Sequence, residues 1–397
     1  MGKDFKLLLA GQLISQVGDK FHMIALAFWV LETTGSSGKM GLVLAASLVP
    51  GLIAGLFSGS VIDRNSKKHI IVGTDLIRGV LLLLFTALFA FGFTNFFIIL
   101  GLQVILSLNA AFFDPCIPAV IPRIVGSSKL SQANAMHQTA AGIALIGGAA
   151  LGGLAVAVVG YVWIFFLNGL SFLFSACFEM FIRIPKSGEG KVKTTLVSDI
   201  KAGYAYLFNS RSLVVILFMV AVIHFFVGGI EVFMPVIAHG MPNGGPKTLG
   251  FFQAALGSGT LLMSLVLART NLTSKVAKGL FTSVMTMGGI QVLSWVCPMM
   301  GTFAWVGYSF CFVLWGAAMV RAAVCFRTLI QQYTKESFSG RVFALASTLG
   351  NASIPAAMIM FGILTDHIET YTIMPLSGVI LIGLGAISLM IFKGDKT

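Results

Sequence analysis

The chain has 397 residues, of which 57% are hydrophobic and only 10% are charged. Because soluble domains carry ~25% charged residues, this composition excludes a soluble protein. The formal net charge of +12 would suit a nucleic-acid-binding protein, but the positions of the basic residues along the chain explain it differently. The five cysteines lie in or beside apolar segments without the spacing of metal ligands, which indicates packing rather than a disulfide framework.

Apolar segments follow one another along the chain, and twelve of them approach the ~20 residues that cross a bilayer. The first six are residues 5–31, 39–62, 69–93, 96–117, 137–159 and 161–183, and the second six are 212–238, 248–268, 279–297, 302–326, 342–365 and 371–392. Between the two sets, Ile200, Tyr204 and Leu207 are at helical spacing and predict an amphipathic helix on the membrane surface. We therefore predict an all-α membrane protein with an N-terminal six-helix half (1–183), a linker (184–211) and a C-terminal six-helix half (212–397).

The distribution of Lys and Arg predicts the orientation of these segments. An even number of spans places both termini on one side, and placing them in the cytoplasm puts most Lys and Arg there as well. Trp29, Trp163, Trp295 and Trp305 then fall at the outer ends of their segments, where aromatic belts form. Topology therefore explains the basic charge, and we expect a multi-pass protein of the inner (plasma) membrane with no nucleic-acid partner. The first segment is too long for a signal peptide and lacks a small-residue cleavage site, so we expect no cleavable signal.

Asp19 lies near the middle of the first segment, where a charge costs at least ~2.5–3.5 kcal/mol. Packing alone does not need such a residue, which favours a transporter with Asp19 as a proton carrier or a cation-binding carboxylate. A structural ion pair is the alternative, and Arg78 of the third segment is the expected partner because Lys20 points about 100° away around the helix. His22 follows one turn after Asp19 on the same face; the two could ligate a divalent metal ion or make polar contacts inside the bundle.

Residues 59–68, between the second and third segments, read GSVIDRNSKK. This resembles the signature loop of the major facilitator superfamily, G-x-x-x-D-R-x-G-R/K-K/R, with Ser66 where a glycine is usual. The stretches GQLISQVGD, LETTGSSG, DLIRG, IPRIVGSSKLSQANA and GRVFAL resemble the macrolide-efflux branch of its drug:proton antiporters. In the fifth segment, GAALGG at 148–153 lacks the proline of the antiporter motif G-P-x-x-G-G, which weakens the support for antiport.

The resemblance implies a secondary active transporter that exports amphiphilic small molecules, such as macrolide-like drugs, by alternating access in antiport with protons and without a cofactor. In this fold the first and seventh segments face each other across the cavity, so Asp19 and His22 would lie opposite His224. We predict these three residues and Glu231, two turns beyond His224, to be proton-coupling or substrate-binding groups. A buried neutral histidine is the alternative for His224.

The same fold suggests gating contacts at the cytoplasmic side. Asp63 and Arg64, with Lys67 and Lys68, form a predicted gate that must open when the halves rock; a turn that obeys the positive-inside rule is the alternative. Asp75 and Arg78 are one turn apart in the third segment and are predicted to pair beside this gate.

A second gating contact is predicted between Asp114 of the fourth segment and Arg321 of the tenth, which would form an ion pair between the halves. The alternative is that Asp114 caps a helix break at Pro115 and Pro118. We expect the gating residues to act on the pathway rather than on the substrate.

Other functions remain open at this point. A lipid or lysolipid translocator would share the fold and a cavity for amphiphiles, and a divalent metal exporter would use Asp19, His22 and His224 as ligands. An enzyme is not expected, because the sequence has no nucleophile–base motif and no G-x-x-x-x-G-K-[ST] nucleotide loop. The expected partners are a small amphiphilic substrate, protons and membrane lipids, and the expected oligomeric state is a monomer.

Overall fold

The computed structural model describes residues 1–93, 95–126, 129–184, 210–242, 244–269, 276–334 and 336–393. The predicted amphipathic helix in 184–211 lies outside these ranges except at its two ends. Within helices, a few side chains are also outside the description, among them those of Asp63 and Arg64 of the predicted gate.

The described part of the chain is helical and contains no β-strand, which confirms the predicted fold class. The α-helices in chain order are α1 (Lys3–Thr34), α2 (Ser37–Ala46), α3 (Val49–Arg64), α4 (Lys67–Ala90), α5 (Phe96–Val125), α6 (Leu130–Met180), α7 (Arg211–Gly240), α8 (Pro246–Ala268), α9 (Val276–Leu293), α10 (Ala304–Tyr333), α11 (Glu336–His367) and α12 (Thr370–Lys393). A 3₁₀ segment, Ser294–Phe303, joins α9 to α10.

Nine stretches of the described residues are long and apolar enough to cross a membrane. One of them contains all but the first two residues of α6, which breaks at Gly160, where φ is 78° and ψ is 173°. This conformation is essentially restricted to glycine, so Gly160 forms the turn between the fifth and sixth predicted segments. Another stretch, Val276–Tyr333, contains the 3₁₀ segment between α9 and α10. If the α6 stretch is divided at Gly160 and Val276–Tyr333 at the 3₁₀ segment, and α1 is added, the described residues are consistent with the twelve predicted spans.

The first of two compact units comprises Met1–Gly188 and Ala238–Ala254. Within it, α1 packs mainly against α6, and α6 also packs against α4. Gly18 permits a close approach of α1 to α6, because a β-carbon there would lie 2.5 Å from both Asn168 Oδ1 and Ser171 Oγ. This approach brings the middle of α1 against polar side chains of α6.

The second unit comprises Glu189–Ile237 and Ala255–Thr397. In it, α9 packs against both α10 and α12. Gly288 of α9 and Gly378 of α12 meet at a close crossing, where a β-carbon on either residue would lie 2.5 Å from the carbonyl oxygen of the other. The predicted division at a linker of residues 184–211 stays a prediction, since most of that linker lies outside the described residues.

Candidate functional site

Asp19 is half-buried on α1 and contacts the side chain of Asn168 on α6. Asn168 Nδ2 donates a hydrogen bond of 3.4 Å to Asp19 Oδ1. The hydroxyl of Ser171 orients this amide, since its Oγ lies 2.7 Å from the backbone oxygen of Asn168 and 3.2 Å from Asn168 Oδ1. The amide group therefore presents its NH₂ to Asp19 and its oxygen to Ser171.

Arg78 of α4 supplies the positive charge near this contact. Its side chain is buried, with the guanidinium carbon 5.1 Å from the ring centroid of Phe113 and 5.2 Å from that of Phe172. The charge of Arg78 acts on Asp19 more strongly than the charge of Lys20 does. The structure thus places the expected partner of Asp19 nearby, held by two aromatic rings.

Arg78 also acts on three other carboxyl groups, those of Asp75, Glu179 and Asp114. Neither carboxylate oxygen of Asp75 has a hydrogen-bond partner, so the expected pairing of Asp75 with Arg78 is electrostatic and not a direct hydrogen bond. The guanidinium group of Arg78 lies over its two aromatic neighbours instead.

Asp114 is solvent-accessible on α5, directly before Pro115. The helix continues through Pro115 and Pro118, so Asp114 does not cap a helix break there.

His22 is buried on α1, with its Nε2 atom 3.1 Å from Gln103 Nε2. With the amide nitrogen as donor, His22 Nε2 accepts and the ring proton sits on Nδ1. His22 Nδ1 has no hydrogen-bond partner, and the ring makes an edge contact with Phe165 at 5.1 Å. This is the polar contact inside the bundle that the sequence offered as the alternative to metal ligation. In the parts of the chain that the structure describes, no three His, Cys, Asp or Glu side chains come together as a metal site.

The predicted residues of the second unit occupy α7 and α10. His224 is half-buried, and its Nδ1 atom lies 2.8 Å from the backbone oxygen of Val220, one turn earlier. Its ring faces Phe326 and would lie 3.0 Å from a β-carbon placed on Gly350. Glu231 and Arg321 are also half-buried. The proposed approach of Asp19 to His224 and of Asp114 to Arg321 would join the two units and stays a prediction.

Two side chains near the start of α1 and α4 hold the end of α6. Lys68 Nζ donates a hydrogen bond of 2.7 Å to the backbone oxygen of Met180. Asp4 Oδ1 accepts one of 3.3 Å from the backbone N–H of Arg183. The predicted gating residue Lys68 therefore tethers α4 to α6, and Lys67 beside it is buried.

An apolar crevice of about 440 Å³ opens within the second unit, among α7, α11 and α12. Its lining consists of aromatic and aliphatic side chains with two serines; the larger ones include Phe218, Phe225, Phe226, Met360, Phe361 and Ile380. Phe218 and Ile380 are 48% and 52% exposed, so the crevice opens onto the surface of the unit. Its volume lies within the ~300–1,000 Å³ typical of small-molecule sites.

Sequence reasoning missed Asn168, Gln103 and Glu179. Each of the three is a buried polar side chain within a predicted span. The argument that singled out Asp19, that a polar group inside a membrane needs a reason, applies to them as well. The partners of Asn168 and Gln103 are on other helices, so the sequence contained a signal for the residues but none for the pairing.

Comparison with known proteins identifies the family. A family model described as "Transmembrane secretion effector" matches residues 2–394. The chain belongs to this family of the major facilitator superfamily. Macrolide efflux protein A of Streptococcus pyogenes is 24% identical over 389 residues, covering 98% of this chain and 95% of that protein. Multidrug efflux pump Tap of Mycobacterium bovis is 26% identical over 383 residues, covering 91% and 86%.

The transporter also resembles solved structures of low sequence identity. The nucleoside transporter NupG has a TM-score of 0.77 at 11% identity, with complete coverage of both chains. A bacterial homologue of the iron transporter ferroportin, in an inward-facing state, has a TM-score of 0.73 at 15% identity and 98% coverage of both. These matches show the fold alone. The family model confirms the predicted membership of the superfamily, and the relatives show the predicted resemblance to macrolide-efflux proteins. The protein is therefore a multi-pass membrane transporter of small molecules and not an enzyme.

Proposed function

We propose that the transporter exports amphiphilic small molecules, with macrolide-like drugs as the first candidates, by alternating access in antiport with protons. The observation that carries the proposal is the half-buried carboxyl group of Asp19 in the middle of α1, beside an amide donor and a buried guanidinium. A carboxyl group in such a place can exchange a proton and can attract a cationic substrate. The efflux functions named for the relatives support the direction of transport.

Asp19, Asn168 and Arg78 have distinct roles in this mechanism. When Asp19 is ionised toward the cytoplasm, the Asn168 N–H group and the charge of Arg78 stabilise the carboxylate. The carboxylate then attracts the cationic amine of a macrolide-like substrate. Protonation of Asp19 from the outside removes this attraction and releases the substrate. His224 and Glu231 act as accessory groups that bind and pass on the proton exchanged at Asp19.

We also propose an orientation in the membrane and a cytoplasmic gate for the transporter. Both termini lie in the cytoplasm, the protein resides as a monomer among the lipids of the inner membrane, and residues 63–68 gate the cytoplasmic side.

We also propose that Asp114 and Arg321 form an ion pair that closes the pathway. A charge swap, Asp114→Arg with Arg321→Asp, would then restore the transport that each single substitution abolishes. If the folded double variant does not transport, the pair is not part of the mechanism.

Transport in proteoliposomes tests the central claim. Wild type is compared with Asp19→Asn under an imposed pH gradient, with Glu369→Gln as the control because Glu369 is an exposed carboxylate beyond α11. We expect gradient-driven uptake of a radiolabelled macrolide into inverted vesicles by wild type and the control, and none by Asp19→Asn. Full gradient-driven transport by Asp19→Asn would exclude Asp19 as the coupling residue, and indifference of wild type to the gradient would exclude proton antiport.

The apolar crevice favours a second candidate, translocation of lipid or lysolipid. Its lining has almost no polar group, and it opens onto a surface rich in exposed apolar side chains. An acyl chain could enter from the side without leaving an apolar environment. Movement of a fluorescent lysolipid between leaflets, faster with wild type than with a crevice variant such as Phe361→Glu, would favour this candidate over drug export.

A further inference from the structure

Two carboxyl groups that the proposed cycle does not use lie buried in the first unit. Asp75 on α4 is 0% exposed and Glu179 on α6 is 2% exposed. None of their four oxygen atoms has a hydrogen-bond partner. The two groups are close enough to act on each other electrostatically. Carboxyl groups in this situation are either ionised at high cost or protonated.

Further buried polar atoms without partners lie on α1 and α6 of the same unit. Ser175 of α6 is fully buried, and its hydroxyl acts on Asp75 without reaching a hydrogen bond of good geometry. Gln12 of α1 is 3% exposed and its Oε1 atom has no partner. Gly11, the residue before Gln12, lies against Ser175, with 3.0 Å between a β-carbon placed there and Ser175 Oγ. Unpaired buried oxygens therefore come from α1 and α6, in addition to those of the acidic pair on α4 and α6.

The surrounding charges do not neutralise two ionised carboxylates. The charges that act on Asp75 are those of Arg78 of α4, Asp19 of α1 and Asp114 of α5, and Glu179 experiences Asp75 and Arg78. Lys68 lines a narrow crevice beside Glu179, but its ammonium group donates to a backbone oxygen. Arg78 is thus one positive charge acting on four acids, and it already stabilises Asp19.

We propose that Asp75 and Glu179 form a second proton-binding site, separate from Asp19, that holds at least one proton at neutral pH. A carboxyl group that keeps its proton is neutral, so it avoids the cost of an uncompensated buried charge. Its O–H group is also a hydrogen-bond donor, which an ionised carboxylate is not.

Arg78 links this site to Asp19. When Asp19 takes up a proton, the field of Arg78 is no longer opposed there and stabilises a carboxylate at Asp75 or Glu179 instead. The pair then loses the proton from a carboxyl oxygen and keeps the electron pair as a carboxylate. Glu179 is one residue from the end of α6, so the proton leaves to water at that end of the helix. This link rests on the proposed proton antiport, whereas the proton content of the pair does not.

Infrared spectroscopy of the purified transporter in lipid nanodiscs tests the site without substrate or gradient. Wild type at pH 7 should show the carbonyl absorbance of neutral, buried carboxylic acid. We expect part of it to be lost in Asp75→Asn or Glu179→Gln, more in the double variant, and none in Glu369→Gln, whose carboxylate is exposed. Unchanged absorbance in both single variants and the double variant would overturn the proposal.

Thermal unfolding separates protonation from the two other states of Glu179. Glu179→Gln replaces a neutral acid by a neutral amide of the same size, so we expect an unchanged melting temperature. A raised melting temperature would mean that the wild-type group is an unpaired carboxylate, and a lowered one would mean that it is ion-paired. Either result would leave Asp75 as the holder of the proton, and the proposal is overturned if Asp75→Asn also shifts the melting temperature. For the link through Arg78, Asp19→Asn should lower the absorbance of the pair, measured as the part lost on adding Glu179→Gln. An undiminished signal would overturn the link even if proton antiport were established.

Discussion

Gly18→Ala is the sharpest test of how the site is positioned. An alanine β-carbon there would lie 2.5 Å from Asn168 Oδ1 and Ser171 Oγ and 3.1 Å from Ser171 Cβ. Contacts between carbon and oxygen normally need ~3.3–3.6 Å, so α1 must move away from α6 by about 1 Å or Asn168 must rotate. Either change breaks the hydrogen bond from Asn168 to Asp19.

Two opposing effects determine how much Gly18→Ala changes the free energy of unfolding. Overpacking of this kind costs about 1–3 kcal/mol, and alanine gains about 1 kcal/mol over glycine in a helix interior. Gly147→Ala on α6 is the matched control, because no heavy atom lies within 4 Å of the new β-carbon. We therefore expect the free energy of unfolding of Gly18→Ala, measured by titration with denaturing detergent, to be about 1–3 kcal/mol below that of Gly147→Ala.

We expect the effect of Gly18→Ala on transport to parallel its effect on stability. Gradient-driven macrolide transport should fall in Gly18→Ala and remain in Gly147→Ala, because only the first disturbs the donor to Asp19. Equal stability and equal transport of the two variants would refute the close approach of α1 to α6 at Gly18, and with it the positioning of Asp19 by Asn168.

Four further variants test separate contacts. Asn168→Ala should lower the unfolding free energy by about 1 kcal/mol and slow gradient-driven export; unchanged export would mean that this amide does not support the coupling group. Arg78→Lys keeps the charge but loses the two aromatic contacts, so a detergent titration should show a loss of about 1–3 kcal/mol, against no loss if the rings do not hold the guanidinium. Gln103→Leu leaves His22 Nε2 buried without a donor and should cost about 1–3 kcal/mol, whereas a neutral outcome would contradict the assigned amide orientation. Gly160→Ala should cost about 1–3 kcal/mol, and a melting temperature equal to that of wild type would argue against the glycine-only turn.

The sequence predicted the parts of this structure that depend on local composition. Runs of apolar residues predicted the membrane-spanning helices, and the boundary between the fifth and sixth segments falls at Gly160, where the chain turns. Asp19 was found because a carboxylate inside a membrane is costly wherever its partners are.

Pairing between helices could not be predicted in the same way. Which residue of α6 faces Asp19 depends on the rotation and depth of two helices whose contacting residues are 149 positions apart. For the same reason, the sequence could not predict Gln103 as the partner of His22. The spacing of Asp75 and Arg78 likewise predicted that the two residues pair, but could not predict that Arg78 lies over the aromatic rings of Phe113 and Phe172.

The packing of α1 against α6 has a consequence for how the protein is made. Asn168 is synthesised 149 residues after Asp19, which at ~5–20 residues per second is a delay of roughly 7–30 seconds. During this time α1 has left the ribosome, while the donor to its carboxyl group does not yet exist. Until α6 arrives, the cost of a charge inside the bilayer favours insertion of the first helix with Asp19 protonated. The residue on which export is proposed to depend is thus also the one whose charge opposes early insertion of the first helix.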